Sequence, residues 1–234
     1  TGTSVCARGS KTAPLAVKAS TVYYVVRWIA GPGIPMNSGC HRVVTIIAKE
    51  GTLVNASYPS PVVAANTETS NRMVDILLGA FAKSIPEKVI AGSYGSGTVF
   101  TLGGWDPIRN KGFVHYETVG GGMGARHDAD GLNGIRVHMG NTMNIPIEAV
   151  EASLPVLVTE YELIPNSGGD GKYRGGSGVR KIIRSLVDGV EVSVLGERTV
   201  SPAFGINGGE RGSTAKYTIR KPNGDVEILP SKTI

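Results

Sequence analysis

The segment from His115 to Thr142, HYETVGGGMGARHDADGLNGIRVHMGNT, concentrates side chains that can do chemistry. It holds three of the four histidines of the 234-residue chain, with one glutamate, two aspartates, two arginines and seven glycines. General acid–base catalysis needs a carboxylate or an imidazole whose pKa is shifted by its surroundings. Glu117 is the best candidate, because it ends an apolar strand-like run and precedes three glycines, where backbone can approach a ligand closely. A solvated glutamate on an edge strand is the competing interpretation.

The same segment is a weak candidate for a phosphate loop or a metal site. GGGMGAR has neither the GK[ST] ending of a P-loop nor the GxGxxG spacing of a dinucleotide-binding turn. The three histidines His115, His127 and His138 lie 12 and 11 residues apart, unlike the closely spaced pairs on a helix that bind zinc. A lone histidine in a strand is more often structural. We therefore assign no metal ligand to this chain.

Short hydrogen-bonding side chains follow in HMGNTMNIPIEAVE. Asn141, Thr142 and Asn144 either line a site or cap turns, and side chains of this type suit both roles. The glycine-rich stretch 167–181, SGGDGKYRGGSGVRK, predicts a tight connection, either a hairpin turn or an anion-binding nest. The sequence contains no GxSxG or HExxH motif, and no Ser/His/Asp or Cys/His arrangement is apparent in it.

Composition disfavours several classes of protein. The 33 glycines are about twice the usual share, and they predict close backbone contacts and positive-φ turns in a folded chain. The basic stretch 172–184 lacks interleaved aromatic residues, so we expect no nucleic-acid partner. No apolar run reaches the length of a membrane span, so we expect neither a membrane span nor a signal peptide. Cys6 and Cys40 lie in unrelated contexts and predict reduced thiols in a cytoplasmic protein.

Hydrophobic periodicity predicts an α+β fold, helix-rich over the first 90 or so residues and mainly antiparallel and β-rich afterwards. Helices are expected over 12–30, with Thr12 as the N-cap, and over 69–86. The apolar stripe of the second helix is Met73, Ile76, Leu77, Ala80 and Phe81. A buried strand is expected over 42–48. The change from helical periodicity to strand-like alternation near residue 90 suggests a possible division into 1–90 and 91–234.

Five strand-like runs lie after residue 90, with glycine-rich loops between them. They are TVFTLGGW, GFVHYETV, LPVLVTEYELI, GVEVSVLGERTV and STAKYTIRKPNGDVEIL. The PNG turn in the last of them predicts a β-hairpin.

Several long stretches resemble one known family in order and spacing. They are KTAPLAVKASTVYYVVRWI, residues 34–89 from IPMNSGCH to IPEKV, HYETVGGGMGAR through NTMNIPIEAVE, YELIPNSGGDGKYRGGSGVRK and ERTVSPAFGINGGERG. Over nearly the whole chain these resemble the hydantoinase B/oxoprolinase family. Members of that family work beside a hydantoinase A-type partner that binds ATP and phosphorylates the substrate. Their known reactions are ATP-dependent opening of cyclic amides (hydantoins, 5-oxoproline, lactams) and ATP-dependent carboxylation of ketones.

The resemblance implies that this chain is the C-terminal half of a B-type subunit that takes part in cyclic amide hydrolysis. Part of an acetone carboxylase-type α subunit and a structural or assembly domain without catalytic residues are the two alternatives. Family members continue upstream of Thr1, and the segments associated with their divalent metal lie there. The implied partners are an A-type subunit carrying ATP and the N-terminal part of the same subunit, in a hetero-oligomer.

The resemblance also implies site residues. Glu117 and His138 are expected to be catalytic and to shuttle a proton during ring opening. Arg126 is expected to bind a phosphorylated or carboxylate intermediate by bidentate contact, and Asn141, Thr142 and Asn144 to bind substrate. Met123 interrupts the glycine run and PAFGINGG replaces a PWG-type motif, so the substrate is left open.

Overall fold

A computed structural model describes residues 12–35 and 37–233, and Cys6 lies outside the described residues. The α-helices are Leu15–Ala30 (α1), Ser70–Phe81 (α2) and Ile147–Ser153 (α3). A π-helical turn, Ala65–Thr69, leads into α2, and 3-10 turns span Ser38–His41 and Pro86–Lys88. The strands are Val99–Asp106 (β1), Lys111–Thr118 (β2), Val156–Leu163 (β3), Val179–Ser185 (β4), Glu191–Leu195 (β5), Tyr217–Arg220 (β6), Val226–Leu229 (β7) and Lys232–Thr233 (β8). The α+β class is confirmed.

All described strand pairs are antiparallel. One sheet has the order β2-β1-β5-β8, and two ribbons pair β3 with β4 and β6 with β7. The β6–β7 ribbon is the hairpin predicted from the PNG turn, with Gly224 at φ 91°. Strand β4 was not predicted, because its sequence VRKIIRS is half basic and reads as part of the charged stretch.

Helix α1 begins at Leu15, so the N-cap position is occupied by Pro14 and not by Thr12 as predicted. The backbone of Ala13 donates to Leu53 O (2.7 Å) and accepts from Ala56 N (3.0 Å). These long-range bonds keep the chain before Pro14 out of the helix. A cap inferred from residue type alone is therefore overridden by tertiary pairing.

The apolar stripe predicted for the second helix is mostly wrong, although Leu77 packs against the core. The side of α2 that faces the interior carries Asn71, Val74, Asp75 and Leu78, whereas Ile76 is 63% exposed. Asp75 is buried because Arg198 pairs with it. A hydrophobic pattern cannot detect a buried face that includes a paired carboxylate.

The strand predicted over 42–48 is also wrong. These residues form a turn and an irregular extended run, and Val43 and Ile47 are exposed. An extended run becomes a strand only when a neighbouring edge pairs with its backbone, and within the described ranges no strand does so here.

Two hydrophobic clusters form the core. One packs α1 against α2 and the chain after it, through Val25, Val74, Leu78, Val89 and Ile90. The other packs the β1–β2 hairpin against α3 and β3, through Leu102, Phe113, Val150 and Val156. Contacts from α2 to Phe204 and Arg198, and from Glu68 in the π-helical turn to Lys232, cross the possible boundary near residue 90.

Four extended segments lie side by side without forming named strands, and we call them the glycine slab: 91–95, 120–125, 131–135 and 174–178. Backbone hydrogen bonds link them, such as Tyr94 N to Gly122 O (3.0 Å), Met123 N to Leu132 O (3.0 Å) and Gly176 N to Met123 O (2.8 Å). A Cβ placed on Gly122, Gly124, Gly131 or Gly176 would overlap a carbonyl oxygen of a neighbouring segment. The close approach of neighbouring backbone segments, more than positive φ angles, accounts for the high glycine content.

Gly176→Ala should therefore destabilise the protein strongly, because the added methyl group meets Leu132 O inside van der Waals contact. We expect a loss of about 3 kcal/mol or more in the free energy of unfolding, at the upper end of overpacking effects. Gly178→Ala is the matched control, because its Cβ would lie 3.6 Å from Ser167 Oγ. Denaturant titration measures both, and equal losses would contradict the close-packing explanation.

Candidate functional site

Glu117 lies on the buried face of β2, with its side chain 2% exposed. Phe113, His115 and Glu117 alternate inward along this strand, and Val114 and Tyr116 point outward. The Glu117 carboxylate accepts hydrogen bonds from Lys181 Nζ (2.5 Å) and Asn144 Nδ2 (2.6 Å). His115 Nε2 is 3.4 Å from the oxygen that Lys181 contacts. The alternation of side chains along β2 thus places Glu117 in the interior, where it pairs with Lys181.

Asn144 and Tyr161 also belong to this group of side chains. We call the group the Glu117 cluster, and it comprises His115, Glu117, Asn144, Tyr161 and Lys181. The Asn144 amide also donates to Thr118 O (3.0 Å), and its oxygen accepts from the Tyr161 hydroxyl (3.0 Å). Lys181 lies opposite Tyr161 in the β3–β4 ribbon, with Nζ 4.9 Å from the ring centroid. The cluster therefore ties β2, the chain before α3, and the ribbon together.

The surroundings of Glu117 keep it ionised. Burial by itself would raise the pKa of Glu117, but the hydrogen bonds from Lys181 and Asn144 outweigh it, so this pKa lies below its usual value. Burial, with the charge of Glu117, raises the pKa of Tyr161, so its hydroxyl stays protonated. A carboxylate with a lowered pKa accepts protons poorly at neutral pH and orients donors well.

His138 lies in a second group of buried side chains, which we call the Asp75 network: Asp75, Ser93, His138 and Arg198. His138 Nε2 is 3.1 Å from both Asp75 Oδ1 and Ser93 Oγ. Arg198 Nη2 donates to the other oxygen of Asp75, and Arg198 Nε to Ser93 O (2.9 Å). The side chains of His138 and Asp75 are 1% and 3% exposed.

These residue types match a catalytic triad, but their geometry does not. In a triad, serine and aspartate bond to different nitrogens of the imidazole ring. Here both contact Nε2, and Nδ1 of His138 is buried without a partner among the described residues. The arrangement fixes the histidine in place and exposes no nucleophile.

The other predicted site residues lie in two further places. Asn141 and Thr142 are exposed in the chain between His138 and Asn144. Arg126 is half exposed and lies 3.4 Å from Asp128, beside a shallow cavity of about 250 Å³ that Trp28 and Lys88 help to line. The structure therefore brings Glu117 and Asn144 together and places His138 and Arg126 outside that cluster.

The glycine runs do not form a ligand cradle in this chain. Gly120, Gly122 and Gly124 pack against backbone of the protein itself, and so do Gly168 and Gly169 of the stretch predicted as a turn or nest. Lys181 lies in the same stretch and pairs with Glu117, a role that the sequence analysis did not predict. The available signal was its place between Val179 and Ile183, on the inward face of β4.

Within residues 12–35 and 37–233, no group of three or more His, Cys, Asp and Glu side chains could hold a metal ion. The buried carboxylates Asp75 and Glu117 are instead paired with the side chains of Arg198 and Lys181. No helix in this described part of the chain is long and apolar enough to cross a membrane.

Comparisons with known proteins agree with the resemblance seen in the sequence. The family profile described as hydantoinase B/oxoprolinase matches residues 1–233. 5-Oxoprolinase 1 of Arabidopsis thaliana is 37% identical across 100% of this chain, which spans 18% of that protein. The structure of an ATP-dependent caprolactamase from Pseudomonas jessenii aligns with a TM-score of 0.72 and 26% identity, over 96% of this chain and 40% of its own. Nucleotide-free acetone carboxylase aligns with a TM-score of 0.73 over 88% of this chain and 28% of its own, but at 19% identity it shows the fold alone.

Breaking the Glu117–Lys181 pair should destabilise the fold. Glu117→Gln leaves Lys181 buried without a counter-charge, and we expect a loss of about 3–5 kcal/mol in the free energy of unfolding. Adding Lys181→Met should recover part of this loss. Glu162→Gln, which breaks an exposed pair with Arg180, is the control and should change stability by about 1 kcal/mol or less. Equal effects of Glu117→Gln and Glu162→Gln in denaturant titration would contradict the assignment.

The same pair should make stability depend on pH. Because the folded pKa of Glu117 is lowered, its contribution is fully present above the unfolded pKa of about 4.3 and is lost as pH falls through the folded value. The stability difference between wild type and Glu117→Gln should therefore shrink below about pH 4. Thermal unfolding from neutral pH to about pH 3 measures this, and a constant difference would show that folding does not lower the pKa of Glu117.

Proposed function

Because this chain belongs to the hydantoinase B/oxoprolinase family, we propose that it forms part of an enzyme that opens a cyclic amide in an ATP-dependent reaction. The supporting observation is its similarity to 5-oxoprolinase over its whole length. The caprolactamase structure is 26% identical to this chain, whereas the acetone carboxylase structure is 19% identical. 5-Oxoproline and caprolactam are both cyclic amides, so ring opening is favoured over ketone carboxylation.

Asn141 and Thr142 are the residues that we assign to substrate binding. A cyclic amide offers one carbonyl acceptor and one N–H donor. The side chain of Asn141 carries both a donor and an acceptor, and the hydroxyl of Thr142 can serve as either. Both are exposed, and their segment is held at Asn144 by the Glu117 cluster.

Glu117 acts in this proposal by orienting Asn144 and Lys181. Its lowered pKa favours this role over proton transfer, and the proton-shuttle roles of Glu117 and His138 stay predictions from the resemblance. The assignment of Arg126 to a phosphorylated or carboxylate intermediate is likewise a prediction. Its pairing with the exposed Asp128 leaves the guanidinium accessible to an anion.

ATP and the metal belong elsewhere in the proposed enzyme. The glycine runs of this chain pack on its own backbone, so we assign the nucleotide to an A-type partner in a hetero-oligomer. The described residues do not supply a ligand set for the family's divalent metal, and no step of this chain is routed through it. We assign the metal to the remainder of the B-type subunit and, since the reaction consumes ATP, place the complex in the cytoplasm.

The complex of the whole B-type subunit that contains this chain with its A-type partner should release ADP only when a cyclic amide is present. The amount of ring-opened product should equal the amount of ADP. Hydantoin, 5-oxoproline and caprolactam are the substrates to compare, with acetone plus bicarbonate as the alternative. Chromatographic detection of the ring-opened acid alongside ADP measures both products. ADP release with acetone and bicarbonate, but with no cyclic amide, would overturn the proposal in favour of carboxylation.

Substitutions in the exposed segment should weaken turnover of that amide. Asn141→Ala and Thr142→Val each remove an uncharged hydrogen bond, and we expect kcat/KM to fall about two- to tenfold through KM. Thr45→Val is the matched control, because Thr45 is exposed in an irregular segment outside the proposed site. Unchanged kcat/KM in both site variants would remove Asn141 and Thr142 from substrate binding.

A further inference from the structure

The chain from His138 to Asn144, which we call the strap, is held at both ends and exposed in the middle. Its first residue is locked in the Asp75 network and its last in the Glu117 cluster. Between them Asn141 and Thr142 are exposed, and Met143 is 88% exposed. A segment anchored in this way loses little conformational entropy when a ligand binds to its middle.

The backbone at His138 requires external support. Its φ is 62°, in the left-handed region that a non-glycine residue adopts only rarely. Such a conformation persists when the surroundings over-determine it. Asp75 and Ser93 hold the imidazole at Nε2, and the ring of Tyr24 meets it edge-on at 6.1 Å between centroids.

Asp75 is in turn fixed by Arg198. The guanidinium donates to Asp75 Oδ2, to Ser93 O (2.9 Å) and to Pro202 O (3.2 Å), with three different nitrogens. A lysine cannot reproduce this planar fork. Arg198 also has a left-handed backbone, with φ 64°, so its position depends on these contacts as well.

Neither Asp75 nor Arg198 can touch a substrate directly. Both are buried, and the other oxygen of Asp75 is already occupied by Ser93 N (3.2 Å), the Ser93 hydroxyl and His138. Their route to the surface runs through His138 and along the strap. An effect of either residue on the reaction must therefore be transmitted by the position of the strap.

We propose that Asp75 and Arg198 are positioning residues: they fix His138, and His138 fixes the strap so that Asn141 and Thr142 face the substrate. The proposal rests on the proposed function for the identity of what the strap contacts. The link from Asp75 through His138 to the strap stands on geometry alone.

Methionine methyl NMR on the full chain in its complex tests that link. Met139 lies within the strap and contacts Thr21 of α1 through sulfur (3.7 Å), and Met143 marks its exposed end. Met73 on α2 and Met123 in the glycine slab serve as internal controls. His138→Asn is the first variant, because asparagine tolerates a left-handed backbone but cannot reproduce the imidazole contacts.

In His138→Asn we expect the order parameter of the Met139 methyl group to fall by about half, with Met73 and Met123 unchanged. Asp75→Asn should have the same local effect, and the double variant should add little to it, because both remove one chain of contacts. Arg198→Lys should give a smaller reduction. Glu227→Gln, which breaks an exposed pair with Lys221, is the control and should change nothing in the strap.

Kinetics of the same variants tests the role in the reaction. Removing a charge-assisted hydrogen bond at the anchor should raise KM for the cyclic amide about tenfold, with a smaller change in kcat. An unchanged Met139 signal in both His138→Asn and Asp75→Asn would overturn the proposal. So would a mobile strap with an unaltered KM, or a reduction of order at Met73 and Met123 as large as at Met139. If the wild-type complex opens no cyclic amide, the proposed function fails, while the NMR comparison still decides whether Asp75 positions the strap.

Discussion

The close approach of one backbone to another at glycine is the constraint on which the rest of this structure depends. The four segments of the glycine slab pass each other at distances that leave no room for a Cβ at several positions. Each segment contains a buried polar side chain or lies next to one in the sequence. Ser93 lies within the first, Glu117 precedes the second, His138 follows the third and Lys181 follows the fourth. Side-chain contacts that join distant parts of the chain are therefore set by backbone packing.

Buried carboxylates are the second organising feature, and three of them have a cation from a distant part of the sequence. Glu68 pairs with Lys232, Asp75 with Arg198 and Glu117 with Lys181, across separations of 164, 123 and 64 residues. Such pairs add little net stability compared with apolar substitutes, but removing one partner is costly. Here they connect the π-helical turn to the end of the chain, α2 to Arg198, and β2 to the β3–β4 ribbon. They specify which segments lie together.

The Asp75 network and the Glu117 cluster hold the two ends of the strap. A loop presents polar groups to a ligand most effectively when a rigid scaffold supports its ends. The Asp75 network and the Glu117 cluster form that scaffold, and the charged side chains of both are buried. A proposed binding segment is thus separated from the charges that hold it, which keeps those charges from competing for an amide substrate.

Some of this could be predicted from sequence. Alternation in GFVHYETV placed Glu117 on a strand, the density of polar side chains pointed to Asn141, Thr142 and Asn144, and the PNG turn predicted the β6–β7 hairpin. The family was also evident from the order of its motifs, and the comparisons confirm it. All of these depend on residues close together in the chain, where propensity and period carry the information.

The sequence by itself determined the α+β class, most of the strands and the segment in which the polar residues lie. Only the tertiary structure decided which face of α2 is buried, that 42–48 has no strand partner, that VRKIIRS is a strand, and that Lys181, Tyr161 and Arg198 complete the two networks. The physical reason is that each of these depends on a contact between residues far apart in sequence. A buried charge is stable only beside its partner, and a local pattern contains no record of that partner.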